Sequence, residues 1–323
     1  MKVKLARKTD IAQDIASFEL VHPDAAALPA FSAGAHITVH LPDVPCGPQG
    51  LSRQYSLYNC PSETHRYQIA VLKTADSRGG SAAMHALAAG DTLEISEPRN
   101  QFPLAPQARH CLLLAGGIGV TPLMSMAKAL VRQGASFEMH YCARSAQRMA
   151  FRQDLERDAR CGLRVHLYFD DGPLDQCIDL PRLLEAPGPG RHLYVCGPTG
   201  FMDAALAQAA RAGWPQARLH SERFSAAPSL EQEPAREFTV ELRRSRRRVV
   251  IPKDRSVAEA LLAAGVDLPT SCNEGVCGTC ITPVLSGEPD HRDHCLSEEE
   301  KASNAWFTPC CSRAKTALLV LDL

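Results

Sequence analysis

The stretch Pro269-Thr-Ser-Cys-Asn-Glu-Gly-Val-Cys-Gly-Thr-Cys280 sets Cys272, Cys277 and Cys280 in the order C-x4-C-x2-C. With one distant cysteine, that spacing supplies the four thiolates of a [2Fe-2S] cluster. Gly275 and Gly278 let the loop bend and turn backbone N–H groups toward sulfur. The bland alternatives are buried structural cysteines or a zinc knuckle, but zinc sites usually pair C-x2-C with a second C-x2-C or with histidines. The fourth ligand is open among Cys310, its neighbour Cys311 and Cys295, the last in His291-Arg-Asp-His-Cys295. Those two histidines lack the Cys-x-His pairing of a Rieske site and read as solvated loop residues. A cluster of this kind passes one electron at a time, so the rest of the chain has to supply a source and an exit.

Working outward, Ser256 and Glu259 form a capping box for a helix over Val257 to Ala264 that stops at Gly265. Phe238 to Leu242 and Arg248 to Ile251 read as a hairpin whose turn holds the basic run Arg243 to Arg248, and Ala317 to Leu323 as a final strand. The basic run reads as a solvated turn in preference to a docking patch for an acidic partner. Ser225 to Ala235, polar, proline-containing and aperiodic, reads as a linker.

Before that linker, apolar runs alternate with helical segments. Cys111 to Ala115, Phe137 to Cys142, Arg164 to Phe169 and His192 to Cys196 are strands of a parallel sheet with helices between, closing near Leu219 to Phe224. Gly116-Gly-Ile-Gly-Val-Thr-Pro122 follows the first strand, with Thr121 expected to cap the next helix and Pro122 to occupy its first position. It departs from G-x-G-x-x-G, but Cys196-Gly-Pro-Thr-Gly200 repeats the close-approach glycine turn at what would be the same sheet edge. Cys196 alone reads as a small buried residue.

From Met1 to about Leu104 the segments are short and alternating: Ser17 to Val21, Ala35 to Leu41, Tyr67 to Val71 and Thr92 to Ile95 predict an antiparallel barrel or sandwich. One helix, Ala82 to Ala89, is expected to interrupt it and end at Gly90. In Arg53-Gln54-Tyr55-Ser56 an arginine fork suits a phosphate or a flavin edge, an aromatic ring can lie on an isoalloxazine, and a hydroxyl can bond a ring nitrogen. An ordinary strand explains the same four residues when they are taken alone. Arg78-Gly79-Gly80-Ser81, opening the helix, is either a phosphate cradle or an ordinary turn.

With 323 residues the chain predicts two or three domains, and its net charge of −1 gives no general attraction to nucleic acid or an anionic membrane. Thirteen cysteines cannot all pair within one chain, so a reducing compartment fits. The charged N-terminus has no signal-peptide core and no apolar run is of membrane-spanning length. The expectation is a cytoplasmic protein, a monomer, with no nucleic-acid or membrane partner.

These segments in this order resemble the phthalate dioxygenase reductase family, which includes the vanillate demethylase reductases. The resemblance rests on Arg53, Tyr55 and Ser56 as R-x-Y-S, Gly79 to Ser81, Gly116 to Pro122, Cys196-Gly197-Pro198 and the cysteine loop. It implies a multidomain chain: an antiparallel β-barrel flavin domain over 1–104, an α/β parallel-sheet NAD domain over 105–225, a linker at 226–235 and a β-grasp plant-type ferredoxin domain over 236–323. It implies FMN, NADH and a [2Fe-2S] cluster as cofactors, and a Rieske-type terminal oxygenase as the partner that receives the electrons. Carried over by position, Arg53, Gln54, Tyr55, Ser56 and Gly79 to Ser81 would hold FMN. Ser56 would lie near the flavin N5, the strand Ala70, Val71, Leu72 would pass along the flavin, and Phe224 would cover it. Gly116, Gly117, Gly119, Thr121, Pro122, Cys196, Gly197 and Pro198 would bind the nucleotide, with Thr121 and Cys196 near the nicotinamide. The family pattern selects Cys310, before Cys311-Ser-Arg-Ala314, as the fourth iron ligand, although the doubled cysteine departs from that pattern. Arg144, Ser145, Arg148 and Arg152 after the second strand could instead favour a 2′-phosphate, while the resemblance implies NADH. Rival readings are a freestanding NAD(P)H reductase acting on a small molecule, an FAD-type flavohaemoglobin-like reductase, and a non-enzymatic metal-binding scaffold.

Overall fold

The computed structural model describes residues 1–41, 51–74, 79–160, 164–173, 176–224, 236–270 and 272–323. The expected linker, Arg78 and Ser271 lie outside the described residues. The chain divides into two compact units, Met1–Arg223 and Phe224–Leu323.

The first unit begins with β1 (Lys2–Ala12), β2 (Ile15–Val21), β3 (His36–Leu41), β4 (Leu51–Ser56), β5 (Tyr67–Leu72), α1 (Gly80–Ala86) and β6 (Thr92–Ile95). The strands form one antiparallel sheet in the order β4-β3-β6-β1-β2-β5, and a bridge from Leu57 to Ile69 draws its two ends together. Lys2 and Lys4 face water while Val3 and Leu5 are buried, the alternation of a half-buried strand. Phe18, Leu20, Ile37, Val39, Tyr67 and Ile69 fill the interior. The helix runs from Gly80 to Ala86 and not to Ala89, because Leu87 is extended and its carbonyl is taken by Lys8 Nζ of β1 at 3.1 Å. A tertiary contact thus ends the helix before Gly90, and that lysine does what a C-terminal cap residue does elsewhere.

The unit continues with β7 (His110–Gly116), α2 (Val120–Gln133), β8 (Ser136–Ala143), α3 (Arg152–Arg160), β9 (Val165–Phe169), α4 (Leu180–Leu183), β10 (Arg191–Cys196), α5 (Thr199–Arg211) and β11 (Leu219–Glu222). These strands make a parallel sheet in the order β11-β10-β7-β8-β9. One face of β7 and β10 packs Leu112, Leu114, Leu193 and Val195 on Met202, Ala205 and Ala209 of α5. The other face joins α2 and the barrel in a shared core holding Leu113, Leu123, Met126 and Tyr141 with Ile15, Tyr58, Ala70 and Phe102. Ser125 Oγ donates to Asn59 O at 3.0 Å across the same boundary.

The second unit holds β12 (Phe238–Leu242), β13 (Arg247–Ile251), α6 (Val257–Ala263), β14 (Thr282–Ser286), β15 (Pro289–Asp290), α7 (Glu298–Ser303), β16 (Trp306–Phe307), β17 (Arg313–Ala314) and β18 (Leu318–Leu321). Its mixed sheet runs β13-β12-β18-β14-β16, with β12 and β18 parallel. Val240, Leu242, Leu319 and Leu321 meet Val257 and Leu261 of α6 in its core. The capping box of α6 forms as the sequence predicts, and Ser297 with Glu300 makes a second one on α7. In the hairpin Arg244 pairs with Asp322 and Arg248 with Glu241, the ion pairs of an exposed turn. Among the described residues no helix is long and apolar enough to cross a membrane.

Candidate functional site

Two constellations carry the chemistry, one in each unit. In the first unit β4 brings Arg53, Gln54, Tyr55 and Ser56 opposite Val39, Thr38, Ile37 and His36 of β3. A Cβ added to Gly80 would stand 3.0 Å from Arg53 Cγ and 3.1 Å from its Nε, so the arginine lies directly on the start of α1. That contact joins the two segments proposed for a flavin and its phosphate, and Gly79 before it takes φ +96° as the turn requires. Ser81 Oγ accepts from Thr74 N at 3.2 Å. Along β5, Ala70 and Leu72 share the face turned to the second core, whereas Val71 packs inside the barrel. The Val71 carbonyl is 2.9 Å from His85 Nε2, so the three consecutive residues do not present one surface.

Ser56 is 5% exposed and its Oγ donates to Glu222 Oε2 at 3.3 Å. Glu222 ends β11 directly beside Cys196 in the parallel register, and its Oε1 lies 4.0 Å from His36 Nδ1. Burial pushes the Glu222 carboxyl up to about 8, although the Ser56 hydrogen bond pulls the other way. Burial, and then Arg99, brings His36 down to about 4, so near neutrality both groups are uncharged. Cys196 is fully buried and its thiol is raised well above the ordinary range by that burial and by Glu222. It is therefore a neutral packing group and not a thiolate nucleophile.

The two glycine turns interlock. A Cβ on Gly119 would stand 2.4 Å from Cys196 O and 2.6 Å from Gly197 N, and one on Gly197 would stand 2.9 Å from Gly116 Cα. A Cβ on Gly116 would also meet Pro198 Cδ at 2.9 Å. Gly117 takes φ +52° in open space. Helix α2 starts at Val120 with Gly119 as its cap residue, so Thr121 is its second residue and Pro122 its third, neither at the expected position. Thr121 is buried and its hydroxyl donates back to Ile118 O at 3.1 Å, which is why it does not cap. Pro122 is accommodated because its N–H would have had no helical partner in the first turn. Beyond β8, Arg148 pairs with Asp14 at 3.2 Å and Arg152 with Glu156 at 2.7 Å, which leaves exposed Arg144 as the better placed of the three for a 2′-phosphate.

In the second unit Cys277, Cys280 and Cys310 are buried and Cys272 half-buried. The Cys272 thiol lies in hydrogen-bonding contact with Cys277 and Cys310, and Cys280 with Cys310, so these four sulfurs form one group. Asn273, Gly275 and Gly278 all adopt left-handed backbone, and Cys272 Sγ accepts from Glu274 N at 3.3 Å. Thr279 N donates to Cys277 Sγ at 3.5 Å. Sulfurs that already receive backbone N–H groups fit thiolate ligands of iron. Cys311 contacts Cys310 but turns to Thr308 Oγ1 at 3.5 Å and stands behind Gly275, where a Cβ would meet its Sγ at 2.4 Å. The Cys295 thiol is pushed up to about 12 by burial and by Asp293.

Several supporting residues carried no sequence signal. Asp293, 3% exposed, accepts from Leu296 N at 2.9 Å and from Thr308 Oγ1 at 3.2 Å, bracing the loop before Cys310. Arg313 donates to the carbonyls of Arg255, Arg236 and Pro252. His291 was expected in solvent; its side chain keeps only 10% exposure, with Nδ1 3.5 Å from Asp293 Oδ1, while His294 is exposed. Glu222 and His36 carry no sequence signal because each gains meaning only from strands that meet in space. Phe224 is 42% exposed and opens the second unit.

Family models match residues 2–103 as an oxidoreductase FAD-binding domain, 113–207 as an oxidoreductase NAD-binding domain and 240–315 as a 2Fe-2S iron-sulfur cluster binding domain. The chain is 49% identical over 316 residues to a vanillate O-demethylase oxidoreductase of Pseudomonas sp. (strain HR199 / DSM 7063), covering 97% of this chain and 96% of that one. It is 41% identical over 326 residues to phthalate dioxygenase reductase of Burkholderia cepacia, covering 100% and 97%. A solved phthalate dioxygenase reductase, described as a modular structure for electron transfer from pyridine nucleotides to [2Fe-2S], superposes with a TM-score of 0.77 at 41% identity over 100% of this chain and 98% of that one.

Proposed function

The chain belongs to the family of vanillate O-demethylase oxidoreductases and phthalate dioxygenase reductases, and from that premise we propose the particulars of its electron route. It is an NADH-dependent oxidoreductase that moves electrons through a flavin and a [2Fe-2S] cluster to an oxygenase component. Our reading adds that the flavin is FMN, that the oxygenase is a Rieske-type aromatic dioxygenase or demethylase, and that the working division is 1–104, 105–225, 226–235 and 236–323. The reductase acts as a cytoplasmic monomer in this reading. Among the described residues no two cysteines form a disulfide, which suits a reducing compartment, and one chain carries the residues for all three groups.

The observation that carries the reading is the meeting of Ser56, Glu222 and Cys196 where the barrel strand β4 reaches the carboxyl edge of the parallel sheet. A bound flavin accepts an electron pair from a nicotinamide and releases electrons singly, matching a two-electron donor to a one-electron cluster. The chain's own residues position the partners. Arg53 and the Gly79–Ser81 turn hold the flavin, with Tyr55 and Ser56 along its ring. Gly117, with open space on its Cβ side, lets the nucleotide approach backbone without an intervening side chain, while Gly116, Gly119 and Gly197 let the two turns, which also hold Pro122 and Pro198, close on one another. Neutral Glu222, Cys196 and Thr121 keep the meeting point free of charge and water, so that alignment does the catalytic work. Cys272, Cys277, Cys280 and Cys310 hold the cluster.

Two measurements test this. Flavin released from the purified protein is identified chromatographically; FMN is expected, and FAD overturns that assignment. The protein is then used to capture its oxygenase from the host, and NADH-driven reduction of the captured Rieske centre is expected. An oxygenase that stays oxidised sinks the partner assignment.

A further inference from the structure

Parallel strands covered on both faces are normally continuous apolar runs. The face of β7 and β10 that meets α5 obeys this with Leu112, Leu114, Leu193 and Val195. On β8 and β9 the same face carries Glu138, His140, His166 and Tyr168 instead, since Glu138 lies beside Leu112, His140 beside Leu114, and His140 pairs with His166. One ligand atom from each of Glu138, His140 and His166 lies within 4.8 Å of the other two. The electron route uses none of these residues.

His140 is 5% exposed, and its buried Nε2 has no hydrogen-bond partner among the described residues, lying 3.8 Å from Glu138 Oε2. A buried imidazole nitrogen left unpaired costs free energy that a ligand would recover. The other ring nitrogen, Nδ1, is 2.9 Å from Tyr168 Oη. With Nδ1–H donating to that oxygen, Nε2 presents a lone pair, the second-shell arrangement that fixes a histidine for metal. Glu138 is oriented in turn: Oε1 is held by Arg191 and lies 3.5 Å from His110 Nε2, which leaves Oε2 facing His140. His166 stacks on His140 with ring centroids 4.6 Å apart and is itself exposed, so it can rotate about its own side-chain bonds. Ligand atoms on one zinc ion stand about 3.3 Å apart for bonds of about 2.0–2.1 Å. Rotation of the exposed ring and a small shift of Glu138 close that gap.

We propose that Glu138, His140 and His166 form a binding site for one divalent transition-metal ion of the zinc and nickel class, tying edge strand β9 to β8. Two neutral imidazoles and one carboxylate suit such an ion, whereas calcium and magnesium call for oxygen ligands. The fourth position is left to water.

The test is equilibrium dialysis of the holoprotein against Ni2+, a probe less drawn to free thiols than zinc, with nickel and iron quantified by plasma emission. The wild type is expected to take up one more equivalent of nickel than His166→Ala or Glu138→Gln, at unchanged iron content and flavin absorbance. Tyr168→Phe keeps the ligands and loses the orienting oxygen, so it is expected to bind about 10- to 100-fold more weakly. Because His166 is exposed, its alanine variant folds, and the same nickel stoichiometry and affinity in that variant as in wild type overturns the proposal.

Discussion

Replacing Gly119 by alanine is expected to damage the nucleotide site more than replacing Gly117, although only Gly117 has a backbone that disfavours alanine. Gly119 has φ −63° and ψ −4°, which any residue adopts, so its requirement for glycine is one of space alone. An added Cβ would stand 2.4 Å from Cys196 O, 2.5 Å from Cys196 C and 2.6 Å from Gly197 N, all backbone atoms of the facing turn. None of these can swing aside like a side-chain terminus, so the turns must separate. Overpacking against backbone costs about 3 kcal/mol, the upper end of the usual range, or roughly 6–12 °C for a unit of this size. Gly117, at φ +52° with nothing within 4 Å of an added Cβ, costs about 1–2 kcal/mol of left-handed strain. The assay is thermal unfolding of both variants, with KM for NADH measured using ferricyanide as acceptor. Gly119→Ala is expected to show the larger loss of melting temperature and the larger rise in KM, with the cluster spectrum kept. A Gly119→Ala protein as stable and as tight for NADH as Gly117→Ala would refute the interlocked-turn argument.

Cys310→Ser is expected to abolish the visible cluster bands and to lower iron content, whereas Cys311→Ser keeps both, because Cys310 reaches Cys272 and Cys280 while Cys311 is turned to Thr308; the reverse pattern makes Cys311 the ligand. Gly275→Ala, forced to φ +72° against Cys311 Sγ and Asp293 Cα, is expected to lose most of the cluster as well, and a fully loaded variant would contradict the packing described for the loop. The Glu222 carboxyl rises to about 8 from 4.5, so between those values the folded chain holds a proton that the unfolded chain has released. Stability contributed by this group is full at low pH and is lost as pH rises through that window, by about 1.4 kcal/mol per pH unit at most. Glu222→Gln removes this slope, so the wild-type-minus-variant difference in the temperature of flavin release, read by fluorescence, should fall from pH 5.5 to 7.5; a flat difference means that Glu222 ionises as it would in water.

The signals that could be read along the chain were the local ones. The three close cysteines, the two strand-end glycine turns and the Ser256–Glu259 box each write their geometry into a few consecutive residues, and each stands where that geometry needs it. What escaped depends on distant partners. Glu222 looks like any acidic residue until β11 sets it beside Cys196 and 3.3 Å from Ser56, 166 positions earlier. The local sequence carries α1 past its end because the terminator, Lys8, comes from β1. Thr121 and Pro122 stand two positions deeper in α2 than the sequence predicts, since Gly119 and not a side chain closes the start of the helix. His291 gives no sign of its burial in the sequence, because packing beside Asp293 has no one-dimensional trace.

Anaerobic titration of the purified holoprotein with NADH, followed by visible absorption and by electron paramagnetic resonance, tests the continuity of the electron path most directly. Bleaching of the flavin bands together with the appearance of a reduced [2Fe-2S] signal, at one NADH per two electrons stored, is the expected result. Flavin that bleaches while the cluster stays oxidised, or a protein that NADH leaves unchanged, would contradict a single chain carrying electrons from nicotinamide to iron.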